Sequence, residues 1–175
     1  MFDKLSKILH LRGLKRKWNV FLINKIYVGV NPKHFPKKAK LLNEIGCSIG
    51  EDTKIVGPIH FYQPFSVGKE CWIGKNMVIN GDGKVLIGDN CDIAPEVTFL
   101  TGGHAIGDHE RRAGKGEIYS IKVGNGCWIG ARSTLVGTVE IGDGSVVAAC
   151  ACVVDNVDKD MLVGGVPAKT IRYLE

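Results

Sequence analysis

Residues 123–150 read VGNGCWIGARSTLVGTVEIGDGSVVAAC, and within them an aliphatic side chain returns at every sixth position: Val123, Ile129, Leu135, Ile141 and Val147. The register continues forward to Val153 and backward through Phe99, Ile93 and Ile87. Past a small offset it resumes through Ile79, Ile73, Val67, Phe61, Ile55 and Ile49. Glycine often follows the aliphatic residue, at Gly50, Gly68, Gly74, Gly88, Gly124, Gly130 and Gly142, as expected where a short strand enters a turn that a side chain would crowd. This pattern accounts for much of an unusual glycine content, 23 of 175 residues, or about 13% against a typical value of roughly 7%. No glycine recurs at every third position, which excludes collagen.

A second slot falls four residues after each aliphatic one and holds small or β-branched residues: Thr53, Cys71, Cys91, Val97, Cys127, Ser133, Val139, Ser145 and Ala151. Extending the register back places Cys47 there too. Four of the six cysteines thus fill one packing position and read as buried, reduced thiols rather than nucleophiles. Three six-residue steps close a triangular coil of about eighteen residues whose parallel strands stack at roughly 4.8 Å. Fifteen aliphatic positions therefore predict a β-helix of about five coils.

Two interruptions mark where function is expected, because an insertion must leave a regular solenoid as a loop. The short one lies between Ile79 and Ile87 and contains Asn80-Gly81-Asp82-Gly83-Lys84. The long one separates Phe99 from Val123 and extrudes a loop over about residues 101–120, carrying His104, His109, Glu110, Arg111, Arg112 and Glu117.

The repeats, in IGKNMVI, IGDNCDIAPEV and the segment quoted above, resemble the hexapeptide signature of left-handed parallel β-helix acyltransferases over about residues 45–172. Within that family TGGH, ending at His104, together with KGEIYS and IKVGNGCWIG, is most similar to the galactoside, maltose and capsule or lipopolysaccharide O-acetyltransferases. The resemblance implies an all-β, left-handed β-helix, a homotrimer with active sites between subunits, and acetyl-coenzyme A as co-substrate with no metal. It makes His104 the catalytic base and matches Asn80 and Asp82 to positions that hydrogen-bond the sugar acceptor. Trp128, Ala131 and Ala149 match a coenzyme groove, and Lys169 and Arg172, in GGVPAKTIR, match residues that approach the coenzyme phosphates. Where related enzymes often carry a lysine, this chain has Asp155.

Chemistry supports the histidine independently. Moving an acetyl group from a thioester to an alcohol requires a proton acceptor as the oxygen attacks, and an imidazole serves near neutral pH. Glu117 is placed to orient the ring or, equally, to contact substrate. A zinc site of the γ-type carbonic anhydrases, a serine or xenobiotic acetyltransferase, and a non-catalytic β-helix scaffold are the alternatives. His104 and His109 have the spacing of two zinc ligands, but the third would be His60, more than two coils away. Residues 1–44 are short for the helical domain of a serine acetyltransferase.

Charge is uneven. Residues 1–44 hold eleven Lys and Arg against Asp3 and Glu44, a net of +9, so the remainder carries −4. In this basic region Phe2, Leu5, Leu9, Trp18, Leu22 and Ile26 recur at helical spacing, which predicts one or two amphipathic helices broken near Gly13 and ended by Asn31-Pro32 and Phe35-Pro36. Residues 1–30 suit either a solvated helix packed on the acidic body or peripheral contact with an anionic membrane. No nucleic-acid-binding motif accompanies the charge. The expected organisation is a basic helical region at 1–44 and a β-helix domain at 45–175, in a cytoplasmic enzyme of polysaccharide biosynthesis whose basic region also suits membrane association.

Overall fold

Every aliphatic slot returns after a turn to the same side of the chain, so three short strands per coil stack into three parallel sheets around a single apolar column. The computed structural model describes residues 2–175, with side chains from Leu11 onward; the side chains of Phe2, Leu5 and Leu9 lie outside what it describes. The first face holds strands at Ser48–Ile49, Ser66–Val67, Lys84–Ile87, Ser120–Val123 and Val139–Ile141. The second holds Lys54–Ile55, Trp72–Ile73, Asp92–Ile93, Trp128–Ile129, Val146–Val147 and Met161–Gly165, closed by an antiparallel strand, Ala168–Tyr173. The third holds Ile59–Phe61, Met77–Asn80, Thr98–Leu100, Thr134–Val136 and Cys152–Val153. Five coils are complete, and Val157, bridged to Ile141, begins a sixth.

The six-residue register is the core register. Fourteen of the fifteen aliphatic positions are buried, and the exception, Phe61, is half-covered, set edge-on to Phe65 at 5.2 Å beneath the Arg16 guanidinium. The second slot does more than fill space. Between the first and second faces Thr53, Cys71, Cys91 and Cys127 each donate to a backbone carbonyl one coil on: Gly68 at 2.6 Å, Gly88 at 3.1 Å, Gly124 at 3.0 Å and Gly142 at 3.2 Å. Ser145 continues the series to Asp158 at 2.8 Å. The slot therefore selects a small O–H or S–H donor, which satisfies a carbonyl that the tight corner would otherwise bury unpaired. Hydrogen bonding with the Cys127 thiol, reinforced by burial, pushes the Cys91 thiol up to about 11, so it stays protonated.

The basic N-terminal region forms a layer across the first coil. Helix α1 (Phe2–Phe21) runs unbroken through Gly13, whose position meets nothing that a break would relieve, and passes into a π-helical turn at Leu22–Ile26. Helix α2 (Phe35–Asn43) follows a short 3-10 turn at Pro32–His34, whose start is capped by Asn31 accepting from Lys33 N. A solenoid end exposes unpaired backbone, and here the helical layer covers it. The Asn43 side chain accepts from Ile49 N at 2.7 Å, and Asn24 accepts from Ile59 N and donates to Ile59 O at 2.9 and 2.8 Å. Lys38, wholly buried, donates to the carbonyls of Gly29 and Val56 at 2.9 and 3.1 Å with Phe35 against its ammonium.

Candidate active site

Both interruptions of the repeat fall at the corner between the third and first faces, in consecutive coils. The short one joins Met77–Asn80 to Lys84–Ile87, and the long one joins Thr98–Leu100 to Ser120–Val123. Asn80 pairs with Leu100 in register, so the bulge lies directly beside the root of the insertion. Buried Thr101 joins the two: its N–H donates to Asn80 O at 2.8 Å, its hydroxyl to the same oxygen at 3.2 Å, and it accepts from Gly83 N at 3.2 Å. At Gly81 φ is +109°, and a Cβ there would lie 2.5 Å from Gly102 N, so the bulge needs glycine for both its conformation and its contact. Asp82 accepts from Gln63, in the preceding coil, at 3.1 Å.

The long insertion is not an irregular loop. Gly102–Ile106 and Ala113–Ile118 form an antiparallel hairpin with His104 opposite Gly116 and a register shift between His104 and Ile106. The tip orders itself: Asp108 Oδ1 accepts from the N–H groups of Glu110 and Arg111, and Arg112 donates to Gly107 O.

His104 is exposed, and its Nδ1 lies 2.9 Å from the carbonyl oxygen of Gly114. A carbonyl can only accept, so Nδ1 carries the proton, and Nε2 is left with a free lone pair facing away from the strand that orients it. The expectation that Glu117 orients the ring is corrected by this geometry. Glu117 pairs with Gly103 rather than with His104, and its Oε2 accepts from the Tyr119 hydroxyl at 2.9 Å. The carboxylate raises the Tyr119 phenol above its ordinary value, which keeps it a donor. Gly103 makes room for this pair, since a Cβ there would meet the Tyr119 hydroxyl at 2.6 Å. Gly114 is the orienting residue that sequence reading missed; it acts through its carbonyl, which every residue type carries, so only the hairpin register identifies it.

The donor-side residues occupy other parts of the prism. Trp128, Val146, Leu162 and Arg172 form one cross-strand row on the outside of the second face. Ala131 and Ala149 lie at the next corner in successive coils, where Cys150 N donates to Ala131 O at 2.9 Å. Trp128, Ala149, Lys169 and Arg172 are all exposed. Lys169 Nζ stands 3.9 Å from Asp155 Oδ2, an exposed and therefore weak pair. An exposed indole, two alanines that leave backbone accessible, and two exposed cationic side chains, one weakly paired with Asp155, could hold a long anionic thioester ligand. Within one chain this row and corner do not meet the His104 hairpin, which leaves from a different corner. His60 is exposed on another part of the prism, His109 is exposed at the tip of the hairpin that carries His104, and among the described residues no three His, Cys, Asp or Glu side chains gather into a metal-binding group.

Comparison with known proteins agrees with the fold. Residues 120–155 match the model described as bacterial transferase hexapeptide (six repeats), and residues 64–94 match the hexapeptide repeat of succinyl-transferase. A galactoside O-acetyltransferase of Escherichia coli (strain K12) is 34% identical over 148 residues, spanning 82% of this chain and 72% of the relative. A hexapeptide-repeat-containing acetyltransferase of Vibrio cholerae O1 biovar eltor, solved with acetyl-coenzyme A, superposes with a TM-score of 0.81 at 27% identity, covering 97% of this chain and 90% of the other. A galactoside acetyltransferase solved with coenzyme A gives 0.80 at 28% identity, covering 95% and 82%. The chain belongs to the hexapeptide-repeat acetyltransferases and shares their left-handed parallel β-helix. It is an acyltransferase.

Proposed function

We propose that this protein is an O-acetyltransferase that moves an acetyl group from acetyl-coenzyme A to a hydroxyl of a sugar or glycan, with His104 as general base. One observation carries the reading: Nδ1 of His104 is committed to the Gly114 carbonyl, so Nε2 is the free base on an exposed hairpin. The sugar acceptor is supported by the galactoside O-acetyltransferase relative, and the donor by the coenzyme-bound neighbours.

When bound, acetyl-coenzyme A supplies the thioester. Nε2 of His104 takes the acceptor proton as the hydroxyl oxygen bonds to the thioester carbonyl carbon, and the imidazolium returns that proton to the sulfur as the C–S bond breaks. The Gly114 carbonyl holds the ring through both transfers and stabilises its positive charge. Asn80, Asp82 and Glu117, on the bulge and the hairpin, hold the acceptor. Trp128, Ala131 and Ala149 line the donor, and Lys169 and Arg172 face its phosphates with a point charge and a guanidinium fork.

Because the hairpin and the donor row lie apart in one chain, the reading includes a homotrimer in which each site combines the hairpin of one subunit with the second face of its neighbour. It extends to a cytoplasmic enzyme whose residues 1–30 make peripheral contact with a membrane.

The test pairs binding with turnover. Acetyl-coenzyme A at 100 times its dissociation constant is expected to stabilise the fold by about 2.7 kcal/mol, and dephospho-coenzyme A less at equal concentration. Across a panel of sugar acceptors, His104→Ala is expected to lose a factor of 10² to 10⁴ in the rate of coenzyme A release while keeping the thermal shift. Unchanged turnover in that variant overturns the assignment of the base.

A further inference from the structure

Helix α1 is built inside out relative to an ordinary surface helix, which buries its apolar stripe. Three of its polar side chains engage the protein. Arg16 donates to the carbonyls of Phe61 and Tyr62, Asn19 to Leu41 O at 2.9 Å, and Lys15 pairs with Glu44 at 3.2 Å. Its large apolar side chains face out: Leu11 is 63% exposed, Leu14 49%, Trp18 60% and Phe21 46%. At 3.6 residues per turn these four fall within about 80° of one another, in a stripe about 15 Å long, and Arg16 leaves the helix from the opposite side. Trp18 and Phe21 stack at 5.6 Å, which joins the largest two into one surface. Exposed Lys17 and Lys25 accompany the stripe, and among the described residues neither forms a salt bridge with a carboxylate. Among the described residues no helix is long and apolar enough to cross a membrane, so α1 has the character of a helix that lies on a surface.

We infer that the Leu11, Leu14, Trp18 and Phe21 stripe inserts into an anionic lipid surface, with Lys17 and Lys25 at the headgroups. Charge selects this occupant. A second copy of the same face would bring like charges together. A nucleic acid would engage the cations but leave two aromatic rings and two leucines in water. A bilayer interface takes both, since aromatic side chains sit at headgroup depth and each basic residue near an anionic leaflet strengthens binding about fivefold. The polar inner side then holds the prism to the membrane-bound helix, so that the β-helix stands off the surface from its first coil. The inference rests on the membrane contact proposed for residues 1–30 and not on the acyl chemistry.

The experiment co-sediments the full chain with vesicles of phosphatidylcholine alone and of phosphatidylcholine with phosphatidylglycerol, at low and high salt, while acetyl-coenzyme A stabilisation is followed on the same samples. Binding is expected to the anionic vesicles, to weaken with salt, and to drop at least about tenfold on neutral vesicles. Trp18→Glu with Phe21→Glu, and separately Lys17→Glu with Lys25→Glu, are each expected to lower anionic-vesicle binding by a similar factor with the coenzyme shift intact. Absence of vesicle binding, or binding equal in all variants, overturns the inference. A smaller solution mass for the Trp18, Phe21 variant also overturns it, by assigning the stripe to contact between copies. A coenzyme shift without vesicle binding defeats the membrane inference alone; vesicle binding without a coenzyme shift defeats the donor reading alone.

Discussion

At Gly130 a single missing Cβ keeps two coils in contact. Its φ is not positive, so glycine is not required by the backbone; it is required because a Cβ would stand 2.5 Å from Ala149 N and 2.7 Å from Val147 O, both main-chain atoms of the next coil. The same corner hands its left-handed positions to residues with side chains, Glu96, Arg132 and Cys150, with φ of 65°, 61° and 61°. The two demands of a tight turn, close approach and positive φ, are thus met by different residues. Gly130→Ala forces the coils apart where Ala131 and Ala149 line the proposed donor groove, and it is expected to cost about 1–3 kcal/mol, as overpacking does. Urea unfolding of the purified variant reads that loss, and coenzyme titration is expected to weaken with it. By contrast Gly126→Ala, at a position with φ of +65° and nothing within 4 Å, tests conformational strain without a clash. Its cost is expected to be about 1 kcal/mol.

At the scale of elements, the contrast lies between what repeats and what does not. The strands were legible because each is specified by its own six residues, and Ile129 or Val147 finds its place without reference to any distant segment. The location of the site was legible for the same reason, since a period that breaks at Asn80 and again after Phe99 announces its own exceptions. Pairing within the insertion was not legible. The Gly114 carbonyl reaches His104 only because the hairpin strands pair in one register and shift after it, and nothing local to TGGH encodes that. The capping layer was hidden too, because a lysine in a basic segment reads as solvated, whereas Lys38 is buried on two carbonyls and pairs with no carboxylate among the described residues. Burial lowers its pKa from 10.5 to about 8. The folded chain thus releases this proton near 8 and the unfolded chain near 10.5, so between those values the unfolded state holds more protons and stability rises with pH. The full gain is on the order of 3 kcal/mol at about 1.4 kcal/mol per unit. Lys38→Met is expected to remove that rise, measured as the difference between variant and parent in urea midpoint from neutral to alkaline pH.

At the scale of the molecule, the decisive fact is the separation on one prism of the two surfaces proposed to act together. The hairpin that carries His104 leaves the corner between the third and first faces, while Trp128 and Arg172 lie on the second face and Ala131 at its far corner. A rigid prism cannot bring these together by bending, because the buried column of aliphatic side chains and the parallel ladders hold every coil in place. If acyl transfer needs both surfaces, a second copy must supply one of them, and a closed ring of three copies supplies each in turn. The consequence is complementation. A His104→Ala chain lacks the proposed base but keeps the proposed donor surface, and a Lys169→Ala, Arg172→Ala chain has the reverse defect. Each alone is expected to be nearly inactive. Co-expressed in equal amounts and assembled at random, they produce about a quarter of sites in which an intact hairpin meets an intact donor surface. Activity near that fraction of the parent, recovered from co-expression but not from mixing the separately purified proteins, establishes a shared site. Activity no higher than the sum of the two variants measured alone places both surfaces of each site on a single chain and overturns the intersubunit arrangement.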